Sequence, residues 1–143
     1  MSTALFTKFQ TSAQRQANLT DSRPTMDDLC ALLKNWKNEL EELGVRTPYY
    51  LEDWTNKRVF LTAKISAPPS QPIRTLHLEG WESGQNGGSS LRIASRVDGI
   101  QEKEAFVPWR ARDAELIDFA KKWLLEHGGN YTREKLLAGP KAP

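Results

Sequence analysis

His77 and Glu79 stand two residues apart in the segment IRTLHLEGW. On an extended strand that spacing places both side chains on one face. An imidazole beside a carboxylate can give and take a proton. Catalysis would need more around the pair: a nucleophile, a second carboxylate or a metal. The two histidines and one cysteine lie far apart and without ligand spacing, so no metal centre is expected, and no cofactor. Gly84, Gly87 and Gly88 have the composition of a phosphate cradle. Such cradles work by leading into a helix N-terminus, whereas this stretch joins two strand-like runs and reads as a hairpin tip. The expectation is a protein without catalytic residues, with a small enzyme built on His77 and Glu79 as one alternative.

A different chemistry comes from the polar sides of four strand-like segments. With a side-chain period of two, Val59, Leu61, Ala63 and Ile65 form one apolar set, Leu76 and Leu78 a second, and Leu91, Ile93, Ser95 and Val97 a third. The opposite parity then carries Arg58, Phe60, Lys64, His77, Trp81, Arg92 and Arg96. In the last segment Ala105 and Val107 share one parity and Phe106 takes the other, so its face is open. The run WRAR adds Arg110 and Arg112 just before a helix. Rings interleaved with guanidinium and ammonium groups suit recognition of a macromolecule. The leading reading is a non-enzymatic interaction or regulatory protein, whose partner is another protein or a second copy of the chain. The main alternative is a single-stranded DNA- or RNA-binding protein, in which bases stack on Phe60 and Trp81 while Arg92 and Arg96 meet phosphates. Both readings need that face to be open. If helices covered both sides of the sheet, the same residues would be core.

The elements that must position these residues follow from periodicity and stop signals. A helix is expected over 26–43, with Thr25 as N-cap and Asp27 and Asp28 at the positive end of the helix dipole. Leu29, Leu32, Leu33, Trp36, Leu40 and Leu43 give its buried stripe, Glu39 falls on the solvated side, and Gly44 supplies the stop. Residues 45–56 contain Pro48 and read as a loop over the edge of the core. Strands are expected at about 58–65, 73–81, 90–97 and 103–107, with Val97-Asp98-Gly99 as a tight turn. A second helix is expected from Asp113 to about His127, with Leu116, Ile117, Ala120, Trp123 and Leu124 inward. A short third helix is expected over 132–138. The fold class is α+β: N-terminal helix, four-stranded antiparallel meander, C-terminal helix and a short terminal helix.

The 143 residues fit one domain over 25–138, with an extended arm at 1–24 and a loose tail at 139–143. Net charge is +2, but its distribution is uneven: seven acids to three bases over 25–56, and seven bases to five acids over 57–109. A single Cys30 excludes an internal disulfide and reads as a buried thiol. No apolar run is long enough to span a bilayer. The arm has no secretory core; it holds Lys8 and Arg15 and no acid before Asp21, a composition shared with organellar targeting segments. The expected setting is the cytoplasm or another reducing compartment, away from membranes.

Overall fold

The computed structural model describes residues 23–65, 69–85 and 89–138. The arm and tail read from the sequence therefore lie almost wholly outside the described residues. Helix α1 (Met26–Glu42) leads into five strands: β1 (Arg46–Asp53), β2 (Arg58–Ile65), β3 (Arg74–Gln85), β4 (Ser89–Val97) and β5 (Ile100–Val107). A 3-10 turn (Trp109–Ala111) then opens into α2 (Arg112–His127), and α3 (Asn130–Leu137) follows. The strands form one antiparallel sheet in chain order, β1-β2-β3-β4-β5. The class is α+β, as the residue pattern indicates.

The start of α1 is fixed twice. Thr25 Oγ1 accepts from Asp28 N (3.1 Å) while Asp28 Oδ2 accepts from Thr25 N (2.9 Å), a reciprocal capping box. Met26 N, another amide that the first turn leaves over, donates to Glu82 Oε2 of β3 (2.9 Å). The sheet thus holds the helix by its N-terminus. At the other end Gly44 takes φ +84° and stops the helix, and Tyr131 of α3 packs where a Cβ would sit. Thr132 is buried and donates to Leu43 O (2.7 Å), so it ties α3 to the end of α1 rather than capping α3. The cap position of α3 is Gly129 and that of α2 is Ala111, so α2 begins one residue before the expected Asp113.

Both long helices pack on the same side of the sheet. Leu29, Leu33, Trp36 and Leu40 of α1, and Leu116, Ala120 and Leu124 of α2, join one core with Val59, Leu61, Leu76, Leu78, Leu91, Ile93 and Val107. The register puts Leu61, Leu78, Ile93 and Ala105 in one cross-strand row. It puts Val59, Gly80, Leu91 and Val107 in the next. This fixes the parity of β5: Ala105 and Val107 face the helices, and Phe106, opposite Arg92, faces away.

Two expectations are corrected. The meander has five strands, because residues expected as a loop form β1. Pro48 is tolerated there because β1 is an edge strand, where a missing N–H need not break a ladder; the register shifts between Arg46 and Tyr49, the stretch that contains it. Glu39, expected in solvent, is buried on α1. The turn at 98–99 holds as read: Asp98 (φ 51°) and Gly99 (φ 82°) form the two-residue connection of a tight hairpin. Asp98 also exchanges hydrogen bonds with Ile73 (2.7 and 2.9 Å), pinning that hairpin to the start of β3.

Gly80 sets how closely α1 can approach. A Cβ there would lie 2.6 Å from Leu29 Cδ2, and Leu29 is itself fully buried. Gly80→Ala should cost about 1–3 kcal/mol by overpacking, read as a lower urea midpoint at unchanged slope. Leu29→Val in the same chain should recover part of that loss, giving a non-additive double-mutant cycle.

Candidate functional site

The face of the sheet turned away from the helices collects every strand residue singled out in the sequence. Its rows follow from the register. At one end Asp53, Arg58 and Trp81 are neighbours. The next row is Leu51, Phe60, Glu79, Arg92 and Phe106. Then come Tyr49, Thr62, His77, Ala94 and Glu104. The last row is Arg46, Lys64, Thr75, Arg96 and Gln101.

Their environments differ sharply. Arg92 is engaged through all three nitrogens: Nη1 donates to Glu79 Oε1 (2.8 Å), Nε to Glu104 and Nη2 to Gln101. A guanidinium held by two carboxylates is a structural knot across β3, β4 and β5, and it has little charge left to offer an anion. Trp81 is buried at 8% relative exposure, and Ala94 beside His77 is fully buried; neither belongs to the helix-facing core. Trp81 therefore presents no free ring for stacking. Arg58 lies with its guanidinium 5.3 Å from the centre of the Phe60 ring, a cation–π contact. Phe60 and Phe106 are half-buried. Tyr49 and Leu51 are the open apolar groups, 48% and 43% exposed.

His77 and Glu79 do not act as a pair. Glu79 turns to Arg92, and His77 is clasped by two hydroxyls: Thr62 Oγ1 lies 3.0 Å from Nδ1 and Thr75 Oγ1 2.9 Å from Nε2. A neutral imidazole satisfies both, donating through one nitrogen and accepting at the other. Burial, then the charges of Arg96 and Arg92, push its pKa down to about 4. The ring is thus uncharged at neutral pH.

The row of Arg46, Lys64 and Arg96 is the converse of Arg92. Among the described residues none of the three is in an ion pair, and the row contains no carboxylate. Arg46, Tyr49 and Leu51 were missed by sequence reasoning because Pro48 made the segment look like a loop. The signal that could have found them is the cluster of β-formers Val45, Thr47, Tyr49 and Tyr50.

Arg110 and Arg112 are not brought to this face. They lie beyond the end of β5, and the cationic row crosses its start, so the two sites sit at opposite ends of the sheet. Arg112 is occupied locally: its guanidinium stacks 4.2 Å from the Trp109 ring centre, and Nη1 donates to Trp109 O (2.9 Å).

Two features lie on the helix side. A cleft of about 680 Å³ runs between α2 and the β4–β5 pair, over Ser95, Ala105, Phe119 and Trp123. Under α1, Glu52 of β1 accepts from Tyr50 Oη (2.7 Å) and Trp54 Nε1 (3.0 Å) and pairs with Lys34 (3.2 Å). Those bonds hold its carboxyl well below the usual range. Cys30 lies in the same cluster, buried, with burial and the neighbouring Glu52 raising its thiol pKa. A thiol kept protonated is a poor nucleophile. No group of three or more potential metal ligands occurs among the described residues. No helix among them is long and apolar enough to cross a membrane. Compared with known proteins, the chain matches no family model, no curated sequence and no solved structure.

The histidine clasp gives a pH test. The folded-state pKa lies below the ordinary 6.5, so the fold favours neutral His77. Its contribution is complete above 6.5 and is lost as pH falls from 6.5 towards about 4. The melting temperature should fall over that interval, and His77→Gln should flatten the fall. An imidazole that titrates near 6.5 by NMR would contradict the clasp.

Proposed function

We propose that this chain is a small non-enzymatic binding protein that recognises a macromolecular partner through the outer face of its sheet. The observation that carries the reading is that, among the described residues, both long helices pack on one side of the sheet. Among the described residues, the helix-facing core takes both long helices, while the other face keeps half-exposed Tyr49 and Leu51 beside Arg46, Lys64 and Arg96, which are in no ion pair there. An antiparallel sheet can leave one face to solvent or to a partner. Apolar and aromatic groups rimmed by charge are the usual make-up of a recognition surface.

An acid–base enzyme at His77 and Glu79 has less support. Both imidazole nitrogens are taken by threonine hydroxyls, and the carboxylate is taken by Arg92. The large α2 cleft lies on the other side of the sheet.

Site-specific photo-crosslinking tests the binding face directly. A photoreactive side chain in place of Leu51 should give discrete adducts in an extract of the source cells. The same group in place of exposed Lys121 on α2 should give none. Adducts from position 121 and not from 51 would move the binding surface to the helix side. Should the adduct be a second copy of the chain, light scattering would show a dimer that Leu51→Asp dissociates.

A further inference from the structure

We infer that the partner of the outer face is a single-stranded nucleic acid, whose phosphates are met by the cross-strand row of Arg46, Lys64 and Arg96 and whose bases stack on Tyr49. The inference rests on the binding role proposed for that face and names the occupant.

Charge complementarity selects a polyanion. Arg46 stands opposite Lys64, and Lys64 and Arg96 flank Thr75 from either side. With strands about 4.8 Å apart, the three cations form a line about 14 Å long running across the strands. Among the described residues the other cations of this face are engaged: Arg92 by Glu79 and Glu104 at its centre, Arg58 by the Phe60 ring at its far end. A line of like charges left unneutralised opposes itself at these spacings. The phosphates of a strand laid along the line would relieve that repulsion.

The chemistry beside the line selects a nucleic acid over an acidic peptide. Tyr49 is opposite Thr62 in the adjoining row, with its side chain half exposed. Leu51 and Phe60 continue the apolar surface one row further. A ring one row from a cation line is the arrangement in which a base stacks while its own phosphate is held. Beside them lie the hydroxyls of Thr62 and Thr75, each of which bonds His77 once and keeps further hydrogen-bonding capacity. Such groups suit base edges and 2′-hydroxyls, and offer a carboxylate no charge. A sheet surface is a platform for splayed single strands, whereas a duplex hides its base faces.

Fluorescence anisotropy with the full chain and a labelled mixed-sequence single-stranded RNA or DNA oligonucleotide tests this. Binding should weaken linearly in log salt with a slope of about −2 for three phosphate contacts, and Lys64→Gln or Arg96→Gln should each shallow it by about 0.7. Tyr49→Ala should weaken binding roughly five-fold or more at unchanged slope, the signature of lost stacking. Lys122→Gln on α2 should change nothing, and an unchanged thermal melt shows that each variant is folded. Comparing RNA with DNA decides which strand is preferred, and either preference supports the proposal. No binding at low salt would overturn it. So would equal binding to a duplex or to poly-glutamate, or indifference to Lys64→Gln and Arg96→Gln. Crosslinking from position 51 would still stand or fall separately, so losing the nucleic acid would not by itself remove the binding face.

Discussion

The contact on which this fold depends is the seating of α1 against β2 and β3, where fully buried Leu29 lies over Gly80. A missing side chain in the middle of a strand lets the helix come close enough to share one core with Leu78, Leu91 and Ile93. The N-terminus of α1 is held at the same strand by Glu82, and its far end is held by Thr132 of α3. With α1 fixed there, α2 fills the remaining half of the same face. The burial of apolar surface is thereby concentrated on one side of the sheet. What the other side presents follows as a consequence.

On that other side the protein solves a charge problem in two ways. At the centre Arg92 sits between Glu79 and Glu104, and three strands are cross-tied by one guanidinium. The side chains there are largely withdrawn from solvent, so leaving either charge unpaired would be expensive. Towards the end of the sheet the same device is absent. Arg46, Lys64 and Arg96 stand in a row whose other members are Thr75 and Gln101. Nothing in folding requires three unneutralised cations in a line. Surface ion pairs contribute little to stability, and the two adjoining rows do carry carboxylates, at Glu104 and Glu79.

Much of this was legible in the sequence, and what was not has a physical reason. The period-two alternation in β2, β3 and β4 assigned faces correctly, because each of these strands pairs on both edges and turns its aliphatic side to the helices. The helical stripe of α2 was read without error at Leu116, Ile117, Ala120, Trp123 and Leu124, where periodicity and burial coincide. β1 was hidden by Pro48 and also by its inverted alternation: Tyr50 and Glu52 turn towards α1 while Tyr49 and Leu51 turn out. Glu52 can face inward only because Tyr50, Trp54 and Lys34 meet its carboxylate there. No local pattern announces partners contributed by a helix earlier in the chain. The same limit applies to Arg92 and Trp81. Their parity was legible, but whether a cation is free or clamped, or a ring open or covered, depends on neighbours two strands away.

That limit moves the candidate site rather than removing it. Reading types and parity alone centres the face on Trp81 and Arg92, the largest ring and the middle cation. Pairing and burial withdraw both, and shift the open chemistry one edge outward, to the strand the sequence disguised. Arg46 and Tyr49 both come from β1, so the unpaired cations and the exposed ring converge only because an edge strand with a proline completes the sheet. An edge strand still has backbone donors and acceptors unpaired along its outer side. A ligand lying over Tyr49 and Arg46 would reach that edge as well as the face. The binding surface proposed above therefore extends from the face to the corner where the edge strand β1 meets the cationic row.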